Sequence, residues 1–216
     1  ALADKPEGPF VDESAAPLLC QYDLGGSIDS SPFQDADGTR YLFWKSDGNC
    51  CGIRVRMFVS ELSPDGLRLV GKTTDTGLAV DAPWERSLIE APTVLLRDGT
   101  YYLLYSANDY ASRNYATGYA TASSVRGPYT DAEENPILAS SPAVGVAGQP
   151  AGPGHQSVIA DGAGNLWIAY HAWDSGLIGD QLGGRRALWL DELVFEDGRP
   201  VVRGPDAGPQ AAPVPP

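Results

Sequence analysis

Three ionisable side chains lie in short segments that otherwise have the composition of buried β-strands. Asp29 lies in SIDSSPFQ, Glu90 in SLIEAPTVLL and His155 in GHQSVIA. A charged side chain is almost never fully buried without a partner. Each of these residues is therefore expected to be paired, neutralised or used in chemistry.

Two carboxylates that face each other across a cleft can hydrolyse a glycosidic bond. One protonates the leaving oxygen, and the other activates water or attacks the sugar. The apolar neighbours of Glu90 favour its protonated form, because desolvation disfavours a charged carboxylate. Glu90 is therefore a candidate general acid. For any one of the three residues an ion pair or a strand-end cap is the alternative, but three at corresponding positions of a repeat favour a common site.

The repeat is visible in three stretches of the chain. DADGTRYLFWKSD (35–47), LRDGTYYLLYSAND (96–109) and DGAGNLWIAYHAWD (161–174) each contain a polar turn followed by an aromatic and apolar strand. Asp-Gly dipeptides are typical of tight β-hairpins. Each stretch follows one of the three segments named above, so each site residue is predicted on the first strand of a hairpin.

Two further strands follow each predicted hairpin. They are IRVRMFVS (53–60) and LRLVG (67–71), TGYATAS (117–123) and GPYTD (127–131), and RRALWLDEL (185–193) and RPVVR (199–203). Repeated units of four antiparallel strands predict the blades of a β-propeller, whose first strands surround a central channel. A β-sandwich with accidental internal similarity is the alternative.

The predicted propeller is incomplete. GPFVD (8–12) resembles GPYTD (127–131), which is the predicted outer strand of the second unit. The sequence therefore predicts about three full four-stranded blades plus one outer strand. Since propellers usually close with about four to eight blades, the chain is expected to be a fragment of a larger protein.

These motifs resemble glycoside hydrolase family 43. IDSSPFQDADGTRYLFWKSDGN, IEAPTVLLRDGTYYLLYSAND and GPGHQSVIADGAGNLWIAYH carry the resemblance, which covers roughly residues 1–203. It implies a five-bladed β-propeller that acts on arabinofuranosides or xylosides. By the same resemblance Glu90 is the general acid, Asp29 is the aspartate that tunes the acid's pKa, and His155 is a channel histidine that binds calcium in many members.

One motif of the family has no counterpart in this sequence. The family's general base is an aspartate on the first strand of the first blade, and no stretch of the chain matches that motif. The resemblance therefore implies that the family's amino-terminal part is missing. The isolated chain is expected to be inactive, or nearly so, unless another chain restores that part.

Further candidates for substrate binding lie at the ends of the second strands and near His155. They are Trp44, Lys45, Ser46, Asn49, Ser106, Asn108, Tyr110 and Gln156, while Arg185 or Arg186 resembles the family's arginine near the sugar hydroxyls. Turn chemistry or strand packing explains each of them equally well. His171, Trp167, Trp173 and Trp189 are predicted to be core residues.

Composition restricts the partners of the protein. The 216 residues carry a formal net charge of −13, and such a surface repels phosphate backbones, so nucleic-acid binding is not expected. No apolar run is long enough to span a membrane. The charge suits a secreted protein that acts on a neutral polymer. The oligomeric state is not predicted.

The three cysteines are Cys20, Cys50 and Cys51. Their spacing does not match a zinc site. In an oxidising compartment Cys20 is predicted to pair with Cys50 or Cys51, and the remaining thiol would pair outside this chain. Three free thiols in a cytosolic protein are the alternative.

The chain is divided into two parts. Residues 1–203 form the predicted partial propeller, and residues 204–216 (GPDAGPQAAPVPP) have the composition of a disordered tail or linker.

The predicted function is an inverting glycoside hydrolase that acts in exo mode on arabinofuranosyl or xylosyl groups. No cofactor is required, and a structural calcium ion at His155 is the one metal considered. The first alternative is a propeller that binds carbohydrate without cleaving it. A second is a related sucrose-acting propeller with a covalent intermediate, which needs a nucleophilic aspartate that the sequence does not show.

Overall fold

The computed structural model describes residues 1–143 and 145–215 and shows an all-β protein. Its strands form three antiparallel four-stranded sheets, and each sheet follows the order of the chain. The all-β class and the three four-stranded units predicted from the repeat are thus confirmed.

The strands of each sheet lie close to their predicted positions. The first sheet contains β1 (Ser27–Gln34), β2 (Arg40–Ser46), β3 (Met57–Leu62) and β4 (Leu69–Asp75). The second contains β5 (Ile89–Arg97), β6 (Thr100–Ala107), β7 (Ala116–Ala122) and β8 (Thr130–Asp131). The third contains β9 (Pro150–Ala160), β10 (Leu166–Asp174), β11 (Arg186–Glu196) and β12 (Arg199–Val202).

The Asp-Gly dipeptide between β5 and β6 forms the predicted tight hairpin. Asp98 and Gly99 both have positive φ angles, 49° and 79°. Two successive positive φ values are what a two-residue hairpin turn of type I′ requires, and Asp-Gly tolerates them better than most pairs. Asp197 and Gly198 have nearly the same angles, 49° and 78°, between β11 and β12.

The second sheet lies between the other two and packs against each of them with one face. Alternate residues of its strands point to opposite faces. Leu103 and Tyr105 of β6 belong to the apolar cluster that contains Met57 of the first sheet. Leu104 belongs to the cluster that contains Ile168 of the third sheet. Two separate cores therefore fix the three sheets, and their first strands, relative to one another.

The predicted outer strand at residues 8–12 is not formed. Within the described residues, Val11 makes only an isolated bridge with Leu2, and none of the three sheets includes this segment. A single bridge does not make a strand, because a strand needs a paired neighbour along several residues. GPFVD and GPYTD nevertheless share a cis Gly-Pro peptide bond, at Gly8-Pro9 and Gly127-Pro128, and a positive φ at the glycine, 86° and 82°.

The predicted disulfide of Cys20 is wrong. Cys50 and Cys51 are bonded to each other, and Cys20 is free and exposed. The fold places the backbone of Gly25 beside this pair, with the Gly25 carbonyl oxygen 3.8 Å from Cys50 Sγ. The chain before β1 therefore approaches the loop that follows β2 at Gly25, whereas Cys20 is exposed.

The carboxyl-terminal tail contacts the third sheet in this structure. The carbonyl of Val214 accepts a hydrogen bond from the Gly162 backbone at 2.8 Å. Gln210 Nε2 donates to Asp191 Oδ1 at 2.8 Å. Asp191 is fully buried and also accepts a hydrogen bond from Tyr170, so the tail contributes one of the partners that a buried carboxylate requires.

No helix in the described ranges is long and apolar enough to cross a membrane.

Tyr105 lies between two carboxylates beside the second sheet. Its hydroxyl is 2.6 Å from Glu85 Oε1 and 2.6 Å from Asp131 Oδ1. A hydroxyl has one proton to donate, so it satisfies only one carboxylate at a time. Glu85 is fully buried, and its other oxygen accepts from the backbone of Asp81 and Ala82. Burial raises the pKa of Asp131 to about 6.

Asp131→Asn is expected to stabilise the protein at neutral pH. The folded-state pKa of Asp131, about 6, lies above the ordinary value of 3.8, so the folded chain binds this proton more tightly than the unfolded chain. The contribution of this group to stability therefore falls as the pH rises from about 4 to about 6. An uncharged amide removes that loss.

We expect the free energy of unfolding to rise by about 1 kcal/mol at pH 7.5. The rise is small because solvent screens the charge of the half-buried carboxylate. Urea unfolding at pH 4 and pH 7.5 measures it. Asp4→Asn makes the same charge change at an exposed position and serves as the control. A variant less stable than the parent at pH 7.5 would contradict this account of Asp131.

Candidate active site

The first strands of the three sheets share a backbone kink. Asp29 in β1, Ala91 in β5 and His155 in β9 have φ angles of 57°, 54° and 55°. Positive φ is uncommon for residues other than glycine, and such strain is concentrated at functional sites. The kinks of β1 and β9 fall on predicted site residues, whereas Glu90 lies one position ahead of the kink in β5.

Glu90 is buried and bonded at both carboxyl oxygens. It is 8% exposed. Oε1 accepts a hydrogen bond of 2.6 Å from the Tyr115 hydroxyl, and Oε2 lies 3.3 Å from Lys45 Nζ. The surroundings of Glu90 are therefore polar, although its neighbours in sequence are apolar, because strands of two sheets supply the contacts.

Tyr115 is fully buried immediately before β7. Burial and the nearby Glu90 carboxylate raise the pKa of Tyr115 far above its usual range, so its hydroxyl stays protonated and donates to Glu90. The ring stacks on His171, with centroids 5.5 Å apart and planes inclined by 5°. It also packs against Gly154, where an added Cβ would overlap with the ring.

Asp29 connects the three first strands. Its Oδ2 accepts a hydrogen bond of 3.1 Å from the backbone N–H of Ala91, and its Oδ1 lies 3.8 Å from His155 Nε2. The carboxylate therefore fixes the backbone next to Glu90 and faces the imidazole at the same time. The structure thus places Asp29 between His155 and the backbone next to Glu90.

Gln156 and Ser106 form a buried network behind these residues. Gln156 Nε2 donates to the Ala91 carbonyl at 2.7 Å. Its Oε1 accepts from Ser106 Oγ at 2.7 Å, and Ser106 Oγ accepts from the His155 backbone at 2.7 Å. Both side chains are enclosed, so they support the site and do not line it.

Trp44 and Asn108 are also enclosed. Trp44 is fully buried, donates to Gln21 Oε1 at 2.8 Å and stacks on Phe58 at 5.8 Å. Asn108 donates to the Trp84 carbonyl at 3.0 Å. The structure therefore places these two substrate-binding candidates among the core and loop-fixing residues.

Arg186 is exposed and lies against two aromatic rings near the site, of which Tyr110 is exposed and Trp173 is fully buried. Its guanidinium is 4.9 Å from the ring centroid of Tyr110 and 5.4 Å from that of Trp173, and it lies 3.5 Å from His171 Nε2. Burial, followed by the charge of Arg186, lowers the pKa of His171 to about 4. His171 is therefore neutral near pH 7, and it belongs to the wall of the site.

Asn49 and Arg185 are the other exposed candidates. Asn49 Oδ1 accepts a hydrogen bond of 2.8 Å from Lys45 Nζ, so it is connected to Glu90 through one side chain. Asn49, Tyr110, Arg185 and Arg186 are thus the predicted substrate-binding residues whose side chains are open to a ligand.

Tyr115 was not predicted from the sequence. It lies in SRNYATG, a segment that follows a polar turn and has no counterpart in the other two repeats. The signal for Lys45 was stronger, since a lysine in the apolar run RYLFWKS has the same anomaly as Glu90 in its strand.

His155 offers few ligands for the predicted calcium ion. Its side chain is 47% exposed and faces one carboxylate oxygen, on Asp29. Calcium takes about six to eight oxygen ligands. Within the described ranges the one group of three potential metal ligands is Asp81, Glu85 and Asp131, beside Tyr105. The side chains at His155 therefore fit only an ion whose ligands are mostly water.

Comparison with known proteins gives one family. The model of glycosyl hydrolases family 43 matches residues 1–200. The chain is 28% identical over 194 residues to a protein of Aspergillus niger named beta-D-galactofuranosidase xynD, and the match covers 89% of this chain and 50% of that protein. It is 29% identical to alpha-L-arabinofuranosidase 43 of Humicola insolens, over 83% of this chain and 39% of that protein.

A solved structure of the same family is also similar to this chain. A thermostable family-43 glycoside hydrolase superposes with a TM-score of 0.83 and 34% identity, over 98% of this chain and 67% of that one. The chain spans half or less of the length of the two curated relatives.

Proposed function

Because the chain belongs to glycosyl hydrolases family 43, we propose that it carries the general acid of an inverting glycoside hydrolase. The observation that supports this most is the placement of Glu90, a buried carboxyl with a donor on each oxygen, beside two other kinked first strands. The three sheets are proposed to be blades of a five-bladed propeller of which this chain forms a part.

Glu90 is proposed to give its proton to the glycosidic oxygen as the bond to the anomeric carbon breaks. The carboxylate that forms is stabilised by the Tyr115 hydroxyl at Oε1 and by the Lys45 ammonium at Oε2. Donors that are in place before the charge develops cost no reorganisation during the reaction. Asp29 is proposed to act on the acid as a second negative charge and through its bond to the Ala91 N–H.

The general base is proposed to come from outside the 216 residues. In inverting enzymes it activates a water molecule on the opposite face of the sugar, and the two carboxyl groups lie roughly 6.5–9.5 Å apart. The first strands β1, β5 and β9 contain Asp29 and Glu90 but no further carboxylate. A calcium ion at His155, if bound, would act on the structure, and no step proposed here uses it.

The proposed substrates are oligosaccharides or polysaccharides with terminal arabinofuranosyl or xylosyl groups, cleaved in exo mode by a secreted enzyme. One relative is named an arabinofuranosidase. Arg186 and Tyr110, which are both exposed and lie against each other, suit a sugar, because an aromatic ring contacts its apolar face and a guanidinium binds its hydroxyls.

Azide can test this proposal in the chain itself, since a small anion can replace the water that a base would activate. The chain is incubated with aryl α-L-arabinofuranosides and β-D-xylosides with and without sodium azide. Azide attacks the anomeric carbon, the glycosidic C–O bond breaks, and the leaving oxygen takes the proton from Glu90. NMR should identify a glycosyl azide of inverted anomeric configuration.

The alternative of a carbohydrate-binding propeller predicts a different result. Calorimetric binding of arabino- or xylo-oligosaccharides without azide-dependent cleavage would favour that alternative. A glycosyl azide of retained configuration would overturn the inverting mechanism, and neither binding nor cleavage would overturn the proposed substrate class.

A further inference from the structure

Lys45 is fully buried on β2, which is rare for a lysine. Its Nζ lies 2.8 Å from Asn49 Oδ1, 3.3 Å from Glu90 Oε2 and 3.7 Å from Asp47 Oδ1. The first two contacts are hydrogen bonds, and the third is an ion pair with a second carboxylate. Partners on three sides hold this buried charge in one place.

The sheets explain why this lysine reaches Glu90. Lys45 pairs with Ile28 of β1 and with Met57 of β3, so it lies in the interior of the first sheet. Its side chain crosses to the second sheet, where Glu90 lies on β5. Asn49 belongs to the short 3-10 turn Gly48–Cys51, so the far side of the ammonium is held by a local loop.

We propose that Lys45 is a positioning residue for the acid: it holds Oε2 of Glu90 and stabilises the carboxylate left after proton transfer. This inference rests on the proposed function of Glu90. A cation within about 4–6 Å favours the charged form of a carboxyl group. The ammonium of Lys45 therefore stabilises the Glu90 carboxylate, and Asp47 moderates this effect because it shares the same ammonium.

Two of the other groups near Glu90 carry no charge near pH 7. Tyr115 is a neutral donor, because burial raises its pKa, and His171 is neutral, because burial lowers its pKa to about 4. Asp29 contacts the Ala91 backbone, and His155 faces Asp29. In the described part of the chain, Lys45 is the cation within hydrogen-bonding distance of Glu90.

A double-mutant cycle tests the pair without any need for activity. Melting temperatures are measured at pH 4 and pH 7.5 for the parent, Lys45→Met, Glu90→Gln and the double variant. Lys45→Met should lower the melting temperature by several degrees more at pH 7.5 than at pH 4, because it leaves a charged carboxylate buried without its cation. This pH-dependent difference should vanish in the Glu90→Gln background.

The pH profile of azide-supported cleavage tests the role in the reaction. Lys45→Met should move the basic limb of kcat/KM to higher pH, because the cation that favours the carboxylate is gone, and it should lower kcat with little change in KM. Asp47→Asn should move the same limb to lower pH, since the ammonium then acts on Glu90 alone. Lys72→Met removes an exposed lysine of β4 and should change neither limb.

The outcomes separate this inference from the proposed function. If Glu90→Gln abolishes cleavage while Lys45→Met and Asp47→Asn leave the basic limb in place, the inference about Lys45 is wrong and Glu90 remains the acid. A cycle without pH-dependent coupling overturns the pairing itself. If Glu90→Gln changes nothing, the proposed function is wrong, and the inference falls with it.

Discussion

Glu90→Gln should lower the rate of azide-supported cleavage by about 10²- to 10⁴-fold for substrates with poor leaving groups. The amide cannot donate a carboxylic proton, so an alkoxide or a sugar oxygen would have to leave without protonation. The loss should be small for dinitrophenyl glycosides, because their leaving group is stable as an anion. Steady-state rates across a series of leaving groups measure the difference.

The amide is expected to keep most of the structure of this site. Tyr115 can still donate to the amide oxygen, and Lys45 retains its hydrogen bond to Asn49 and its ion pair with Asp47. Glu133→Gln makes the same charge change at an exposed position and should leave every rate unchanged. An equal loss for all leaving groups would show that Glu90 has a structural role, and no loss would favour the carbohydrate-binding alternative.

The strands could be predicted because their signals are local. Alternating apolar residues and Asp-Gly turns depend on neighbours in sequence, and β1 was predicted with the bounds that the structure shows, Ser27–Gln34. The approach of the first strands at Asp29 and His155 could also be predicted, because a repeated unit puts equivalent strands in equivalent places. The sequence did not reveal that the kink of β5 falls on Ala91, one residue after Glu90.

The partners of Glu90 could not be predicted, since they depend on contacts between sheets. Tyr115 lies 25 positions along the chain from Glu90, and Lys45 lies 45 positions from it. The apolar run RYLFWKS distinguishes Lys45 from the other lysines, but no pattern in the sequence pairs it with Glu90 or selects Tyr115 from the other tyrosines. The cysteines show the same limit, because pairing depends on how closely the chain before β1 approaches the loop that follows β2, and the structure brings Gly25 there.

Gly154→Ala should disturb the hydrogen bond that Tyr115 donates to Glu90, although no substrate contact is proposed for Gly154. An added Cβ would overlap with the ring of Tyr115 and would lie 2.9 Å from Ser106 Oγ. Both side chains are fully buried, so neither can move aside freely. Overpacking of this kind costs about 1–3 kcal/mol, which corresponds to a fall of several degrees in the melting temperature of a domain of this size.

The displaced ring would also carry its hydroxyl away from Glu90, and azide-supported cleavage should fall with stability. Two further variants separate these effects. Tyr115→Phe removes the hydroxyl but keeps the ring, so it should lower the rate with a smaller loss of stability. At Gly176 an added Cβ meets no atom closer than 3.4 Å, so Gly176→Ala should change neither quantity. Gly154→Ala could instead have the melting temperature and the cleavage rate of the parent. Tyr115 would then not be held against β9 as described, and its role as the donor to Glu90 would be refuted.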